Sequence, residues 1–156
     1  MSRVIGGVAG DTIAGNLGND LILGDEGTVT LEGGIFKSVV STNAATGGAD
    51  TIKGDGDTST VNDGNDTIIG GAFGDTLHGN SGNDLILGDS GSIDYVGGGA
   101  IDGIVNQVLS TSEGVGGNDL ITGHDGDDTI LGGAGNDTIT ANAGNDVVLG
   151  DSGQLD

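Results

Sequence analysis

Ten aspartates recur in one register along the chain, and their spacing is the feature that suggests chemistry. The clearest stretch runs from Gly114 to Leu149 and reads as four blocks of nine residues without a gap. In each block Asp stands at the sixth place, Gly at the fourth and an aliphatic residue at the eighth. Carboxylates held in register repel one another unless a cation lies between them, and ligands that are all oxygen favour a hard cation such as Ca²⁺. The sixth-place residues are Asp11, Asp20, Asp50, Asp66, Asp75, Asp84, Asp119, Asp128, Asp137 and Asp146.

The block also predicts the elements that would position these carboxylates. Its Gly, Asn and Asp residues form a turn, because Gly and Asn adopt positive φ at little cost. The triplet that follows predicts a very short strand whose middle side chain points to one face. Nine residues cannot bury that side chain alone, so successive blocks must coil and stack. The predicted core ladder is Ile13, Ile22, Ile52, Ile68, Leu77, Ile86, Ile121, Ile130, Ile139 and Val148.

The blocks resemble the RTX, or haemolysin-type, nonapeptide GGxGxDxUx, which is identified as a calcium-binding repeat. The resemblance implies an all-β fold, a right-handed parallel β-roll in which two nonapeptides complete one coil and several calcium ions lie between turns. It also implies export through a type I secretion channel, folding in extracellular calcium, and a secreted or cell-surface location. Besides the ten aspartates, the turn residues that it assigns to the metal sites are Gly15, Gly79, Gly117, Gly126, Gly135 and Gly144.

A spacing of eighteen residues predicts which aspartates share an ion. The uninterrupted pairs are Asp66 with Asp84, Asp119 with Asp137, and Asp128 with Asp146. Intervening segments separate two further predicted pairs, Asp20 with Asp50 and Asp84 with Asp119, which we expect to form weaker sites. Asp11 and Asp75 are expected to face Val29 and Ile93, so their sites would be incomplete unless Asp25 or Asp89 substitutes.

The chain is predicted to be a single domain over residues 1–156, with about 2.5 copies of a longer unit of roughly 63 residues. The segment from Gly6 to Asp25 recurs from Gly70 to Asp89, at an offset of 64 residues. Predicted inserts occupy residues 28–45, 54–62 and 92–113, and the first and last contain β-branched residues around glycines, which indicates hairpins. We expect the chain to be a piece of a longer array.

Apolar residues on the outer face of some strands predict where the hairpins pack. The triplets before the first two GD(E/S)G turns are LIL, whereas the seventh place of other blocks is usually Thr. We therefore predict that the hairpins cover Leu21, Leu23, Leu85 and Leu87. Leu131 is followed by no insert and is predicted to be an ordinary surface residue.

Composition restricts the classes of partner. The 156 residues include 36 Gly, no Cys, Pro or Trp, and 24 acidic against 3 basic residues, giving a net charge of −21. This charge disfavours nucleic acid and anionic membranes as partners, and the absence of a long apolar run predicts no membrane insertion. Without disulfides or bulky core residues, a bound metal is the expected source of stability.

An acidic loop offers a second pattern of possible ligands. The one-three-five-nine-twelve spacing of an EF-hand loop occurs at Asp55, Asp57, Ser59, Asp63 and Asp66. Thr60 stands where that loop needs Gly, and no helix is predicted on either side, so an EF-hand is disfavoured. The alternatives are a solvated loop and a loop that donates a carboxylate to a repeat site.

No catalytic constellation is present in the sequence, so we predict that this chain is not an enzyme. His78 and His124 have no cysteine or nucleophile in a matching arrangement. The favoured function is a calcium-binding structural repeat module of a large secreted or surface protein. The alternatives are an adhesive module that binds glycans or other surface ligands, and the accessory roll of a secreted enzyme. Ice binding is disfavoured, because no block has Thr at its third place.

Overall fold

The computed structural model describes residues 2–56, 64–96, 105–111 and 114–155. None of these segments forms a helix that could cross a lipid bilayer. The first eight described strands are β1 (Arg3–Ile5), β2 (Thr12–Ala14), β3 (Leu21–Leu23), β4 (Gly27–Glu32), β5 (Ile35–Ser41), β6 (Thr51–Lys53), β7 (Thr67–Gly71) and β8 (Thr76–Ser81). The other eight are β9 (Leu85–Asp89), β10 (Gly91–Tyr95), β11 (Val105–Ser110), β12 (Leu120–Asp125), β13 (Thr129–Gly133), β14 (Thr138–Ala143), β15 (Val147–Asp151) and β16 (Gln154–Leu155).

The strands of the nine-residue blocks alternate between two parallel sheets. Sheet A has the order β1-β3-β7-β9-β13-β15, and sheet B has the order β2-β6-β8-β12-β14. Identical block positions stand opposite each other in the register, as Ile68 does with Ile22 and Ile86. Each glycine-rich turn carries the chain from one sheet to the other. These parallel sheets are consistent with the predicted β-roll.

The eighth-place aliphatic residues form the core between sheets A and B, as the ladder predicts. Seven of them, Ile22, Ile52, Ile68, Leu77, Ile86, Ile121 and Ile130, are 0% exposed. Val148 differs from the prediction, because it is 44% exposed. It lies in β15, the outermost strand of sheet A, so only one side of it is covered by a neighbouring strand.

The inserts form a third sheet, here called the insert sheet, which is antiparallel and has the order β4-β5-β10-β11-β16. The predicted hairpin is present in the first insert, where Gly33 and Gly34 both have positive φ between β4 and β5. Two such residues match the twist that a two-residue hairpin loop needs. In the last insert, β10 and β11 pair antiparallel, and residues 97–104 between them lie outside the described residues. Most of the predicted insert at 54–62 also lies outside them.

The insert sheet covers the outer face of sheet A, which confirms the predicted packing of the outward leucines. Leu21, Leu23, Leu85 and Leu87 are buried in one cluster with apolar residues of the insert sheet, namely Phe36, Val39, Ile93, Tyr95 and Val108. The prediction for Leu131 is wrong, because this residue is 1% exposed and belongs to the same cluster. The reason is that β5 pairs with β10 and β11 pairs with β16, so the inserts form one continuous layer.

Candidate metal centre

The sixth-place aspartates lie at the turns that lead into the strands of sheets A and B, and they form two rows. Row A, at the start of sheet A strands, comprises Asp20, Asp66, Asp84, Asp128 and Asp146. Row B, at the start of sheet B strands, comprises Asp11, Asp50, Asp75, Asp119 and Asp137. Parallel pairing stacks the turns, and the shared register places equivalent side chains above one another.

A ladder of hydrogen bonds holds each row together. The backbone N–H of each aspartate donates to Oδ1 of the next aspartate in its row, as Asp66 does to Asp84 at 2.8 Å and Asp119 to Asp137 at 3.0 Å. One oxygen of each accepting carboxylate is thereby fixed in place. The fifth-place residues make a parallel ladder, since the N–H of Asn83 donates to Oδ1 of Asn65 at 2.9 Å. The Asn-Asp pair, which six of the ten blocks contain, therefore aligns neighbouring turns.

The structure brings together the three pairs predicted at eighteen residues, and it corrects the partners predicted across the inserts. The neighbours found there are Asp20 with Asp66, Asp50 with Asp11 and Asp75, Asp84 with Asp128, and Asp119 with Asp75. The pairs Asp20–Asp50 and Asp84–Asp119 are wrong, because their members lie in opposite rows. Alternation between the sheets continues through each insert, so every second block shares a row whatever the sequence distance.

Asp11 and Asp75 each have a carboxylate neighbour, which also corrects the prediction. The hydrogen-bonded neighbours are Asp50 for Asp11, at 2.7 Å, and Asp119 for Asp75, at 2.8 Å. Val29 and Ile93, the residues predicted to face them, lie in the insert sheet, where both pair with Val39. The GD(E/S)G turn does not begin a new coil, because the chain leaves there for the insert sheet.

Each insert divides one block instead of separating two complete ones. In the uninterrupted block that begins at Gly70, a Cβ on that glycine would lie under 3.0 Å from Oδ2 of Asp75. The same relation joins Gly24 to Asp50, although an insert lies between them. It also joins Gly54 with Asp66 and Gly88 with Asp119. The first place of each divided block therefore precedes the insert, and its sixth place follows it.

The second carboxylate oxygen of the row aspartates lies in a cradle beside backbone carbonyls. A Cβ on Gly70 would overlap both Oδ2 of Asp75 and the carbonyl oxygen of Gly88 in the next coil. Gly79 is placed in the same way beside Oδ2 of Asp84. The buried Oδ2 atoms that accept no hydrogen bond include those of Asp50, Asp66, Asp75, Asp84, Asp119, Asp128 and Asp137. A cation is the group that satisfies carboxylate and carbonyl oxygens together.

Burial and mutual repulsion make these carboxyls weaker acids than usual, because both raise the pKa. Burial, with further contributions from neighbouring carboxylates, raises the pKa of Asp75 to about 9 and that of Asp84 to about 8. The same causes raise the pKa of Asp66 and of Asp119 to about 7. The chain has only 3 basic residues for 24 acidic ones, so its own side chains cannot neutralise the rows.

The donor set is mixed, which restricts the kind of ion that the rows could hold. Among the described residues, no group of three or more Asp, Glu, His or Cys side chains is arranged to hold a metal. Any ion here would need backbone carbonyls in addition to carboxylates, a donor set of oxygen alone that suits Ca²⁺. The residues present therefore fit the predicted ion.

The remaining predicted site glycines lie at the first and fourth places of the turns. Gly15 lies beside Oδ2 of Asp20, as Gly79 does beside that of Asp84. The fourth-place glycines Gly126, Gly135 and Gly144 have φ between 137° and 149°, and a Cβ on any of them would overlap a carbonyl oxygen of the preceding coil. A Cβ on Gly117 would likewise overlap the carbonyl group of Phe73 in the preceding coil. All of these positions need glycine for space, and Gly126, Gly135 and Gly144 need it for conformation as well.

Three further buried aspartates, Asp25, Asp55 and Asp89, were not predicted as site residues in their own right. They stand at the second place of the divided blocks, where the other blocks have Gly, Asn or His. Asp89 Oδ1 accepts a hydrogen bond from Gly117 N–H at 3.0 Å. The sequence signal that could have found them is the Gly-Asp pair that precedes every insert. Of the EF-hand-like spacing, Asp57, Ser59 and Asp63 lie outside the described residues.

The two histidines lie together on the outer side of sheet B, with ring centroids 5.8 Å apart. Burial and the neighbouring His124 lower the pKa of His78. No third metal-binding side chain joins them within the described residues.

Comparison with known proteins agrees with this geometry. The sequence matches the RTX calcium-binding nonapeptide repeat in four copies, at residues 3–35, 60–92, 111–139 and 123–154. No curated protein and no solved structure matches the chain. The four matches together cover more than half of the sequence and include most of both aspartate rows. The chain belongs to the RTX calcium-binding nonapeptide repeat family.

Proposed function

We propose that this chain is a calcium-binding structural module that folds when it meets extracellular calcium, as part of a large secreted or surface protein. Calcium ions would lie along rows A and B, between coils of a right-handed β-roll. Each ion would take the Oδ2 atoms of row aspartates together with carbonyl oxygens of the first-place and fourth-place turn residues. The glycines named above would leave the space for it.

The observation that carries this proposal is the set of buried carboxylate oxygens that accept no hydrogen bond. A buried acceptor without a partner costs about 1–3 kcal/mol, and more when it is charged. At least seven such atoms recur at the same position of successive turns. A single buried oxygen of this kind would be a local defect. The same oxygen, recurring in successive turns, supports a ligand that recurs with it.

The proposal predicts that calcium binding and folding are one process. Without the ion, the close carboxylates and the net charge of −21 oppose compaction, and the small aliphatic ladder cannot offset them. Circular dichroism should show a coil spectrum in chelator and a β spectrum in millimolar CaCl₂. Millimolar MgCl₂ should restore less structure, because Mg²⁺ demands a tighter octahedral site.

Paired variants test whether the row aspartates are the ligands. Asp84→Asn should raise the CaCl₂ concentration needed for folding, because it removes one charged ligand from row A. Asp94→Asn is the matched control, since Asp94 is exposed on β10 of the insert sheet. A β spectrum that is unchanged in chelator would refute calcium-linked folding. Equal midpoints for the two variants would refute the assignment of the ligands.

A further inference from the structure

The second place of a block differs between the blocks that continue around the coil and those at which the chain leaves it. In seven blocks this place is occupied by a residue with positive φ, and the residues are Gly7, Asn16, Gly71, Asn80, His124, Gly133 and Asn142. In the three divided blocks it is Asp25, Asp55 or Asp89, and none of these has positive φ. Asp89 ends strand β9, whereas Asp25 and Asp55 lie at bends, and in each case the chain runs on into the insert.

The carboxylate of each such aspartate reaches the residue at which the chain returns. Oδ1 of Asp25 accepts a hydrogen bond from Gly48 N–H at 3.0 Å, across 23 residues of sequence. Oδ1 of Asp89 accepts one from Gly117 N–H at 3.0 Å, across 28 residues. Gly48 and Gly117 occupy the fourth places of the divided blocks that contain Asp25 and Asp89. The two hydrogen bonds therefore join the halves of each block where the backbone does not.

The other oxygen of each carboxylate joins the returning turn to a neighbouring coil. Oδ2 of Asp25 accepts a hydrogen bond from Ala72 N–H at 2.6 Å, and Oδ2 of Asp89 accepts one from Ala134 N–H. Both aspartates are buried. Asp55 follows the same rule in part, because its Oδ2 accepts from Ser81 N–H at 3.0 Å.

Glycines make room for these carboxylates. A Cβ on Gly47 or Gly71 would overlap the side chain of Asp25, and a Cβ on Gly116 or Gly133 would overlap that of Asp89. The two sites therefore share one arrangement, which consists of a buried carboxylate, two backbone N–H donors and two glycines around it. Its repetition at both long inserts argues against a chance contact.

We infer that Asp25 and Asp89 are positioning residues for calcium ligands, since each fixes the returning half of a divided block so that its sixth-place aspartate enters row B. The aspartates so placed are Asp50 and Asp119, each two residues beyond the hydrogen-bonded glycine. This inference rests on the proposed function. It assigns the two carboxylates to backbone N–H groups and not to the ion.

The test is a CaCl₂ titration of Asp89→Ala that is followed by NMR at individual amides. The reporters are the N–H of Asp119 in row B and the N–H of Asp128 in row A, which donate to Asp137 and Asp146. Loss of two charge-assisted hydrogen bonds should raise the midpoint at Asp119 by about tenfold or more. The midpoint at Asp128 should change by less than about threefold, a shift of under 1 kcal/mol.

Asp151→Ala is the matched control, because Asp151 has the same second place in a GDSG turn but is exposed. It should leave both midpoints near those of the unaltered protein. Asp89→Asn keeps one acceptor oxygen and should fall between the unaltered protein and Asp89→Ala. If Asp89→Ala does not fold in saturating calcium, Asp89→Asn is measured in the same way. Asp25→Ala should repeat the effect at the N–H of Asp50.

Two results would overturn the inference. Equal shifts at Asp119 and Asp128 would mean that Asp89 supports the fold as a whole, and no shift at Asp119 would mean that it positions nothing. Failure of the proposed function is distinguishable, because the unaltered protein would then show no calcium-dependent change at any amide. Hydrogen exchange gives an independent reading, since Gly117 and Ala134 N–H should lose protection in Asp89→Ala.

Discussion

The aspartate rows and the layer between sheet A and the insert sheet are both buried, but they depend on different forces. The rows hold carboxylates whose second oxygens accept no hydrogen bond, so their burial opposes folding unless a cation is present. The layer holds leucines packed against Phe36, Val39 and Ile93, so its burial favours folding in any buffer. The same coils therefore combine a region that needs a ligand with a region that does not.

Under the proposed function, this difference would make the aspartate rows, and not the apolar layer, the part of the molecule whose stability depends on calcium. In the part of the chain that the structure describes, no apolar layer covers sheet B, and its outer face carries residues such as Thr51, His78 and Thr122. The insert sheet adds apolar burial only on the side of sheet A. The rows run along both sheets, so the proposed requirement for calcium would apply to the coils of sheet A and of sheet B alike.

The largest expected effect is that of pH on the aspartate rows in the absence of calcium. In chelator, the folded-state pKa values of the row aspartates are raised above the unfolded value of 3.8, to about 7 for Asp66 and about 9 for Asp75. The resulting stability is present below pH 3.8 and is lost as pH rises through about 7 to 9. Circular dichroism in chelator should therefore show more β structure at pH 4 than at pH 9.

In calcium the direction of this pH effect should reverse, because the ligands must be deprotonated. The CaCl₂ midpoint should change little between pH 8 and 5, and it should rise as pH falls further towards 3.8, where the carboxyls of the unfolded chain begin to bind protons. Asp75→Asn separates the two states, since it removes a carboxyl that must bind a proton to be buried in the metal-free fold at pH 8, and it removes a ligand from the calcium-bound one. It should stabilise the protein in chelator at pH 8 and weaken calcium binding. A chelator spectrum that does not respond to pH would contradict the role given to the rows.

The apolar layer is tested next by Leu85→Thr combined with Leu87→Thr. The double exchange removes two buried leucines, so we expect a loss of roughly 3 kcal/mol or more, at 1.5–3 kcal/mol for each side chain. Thermal or urea unfolding in saturating calcium measures it. Leu120→Thr is the control, because Leu120 is 45% exposed on sheet B, between Thr76 and Thr138. An equal loss for the control would mean that the insert sheet adds no stability.

A smaller change, Leu131→Thr, tests whether the inserts act as one layer. Leu131 lies under the insert sheet although no insert follows it directly in the sequence. We expect a loss of about 1.5–3 kcal/mol, similar to that of Leu87→Thr alone. A loss within about 0.5 kcal/mol, the range of ordinary surface substitutions, would show that each hairpin supports only the strands beside it.

Particular residues show how much of the fold and of the site can be predicted from the sequence. The period of nine predicts the strands around Ile22 and Ile86 and the stacking of their aliphatic side chains, and the resemblance to the RTX repeat implies the parallel pairing. It does not predict that Asp20 neighbours Asp66, because that requires knowing that an insert divides a block. The signal was nevertheless present, since Gly24 and Asp50 complete one block once the insert is set aside.

The burial of Leu131 could not be predicted from the sequence, for another reason. It depends on pairing between strands of different inserts, such as β5 with β10, and no periodic pattern specifies contacts between segments so far apart. The role of Asp25 is similar, because its partners Gly48 and Ala72 lie 23 and 47 residues away. Local chemistry predicts the repeat, whereas the positions of the inserts follow only from the assembled sheets.

The smallest expected effect concerns a turn of row B, where Phe73 occupies the fourth place with φ of 72°. A bulky side chain is strained in this region, at a cost of order 1–3 kcal/mol. Phe73 is 54% exposed, so its removal sacrifices little packing. Phe73→Gly should therefore stabilise the calcium-bound protein by about 1 kcal/mol, after the greater flexibility of glycine in the unfolded chain is deducted.

Ala9 supplies the control for this change, because it occupies the fourth place of the first block without positive φ. Ala9→Gly relieves no strain and gains unfolded-state flexibility, so it should destabilise the protein by roughly 0.4–1 kcal/mol. Thermal unfolding in saturating calcium should thus shift in opposite directions for the two variants. Destabilisation by both would mean that the Phe73 side chain packs on the turn strongly enough to outweigh its backbone strain. The turns would then resemble the apolar layer in depending on side-chain burial.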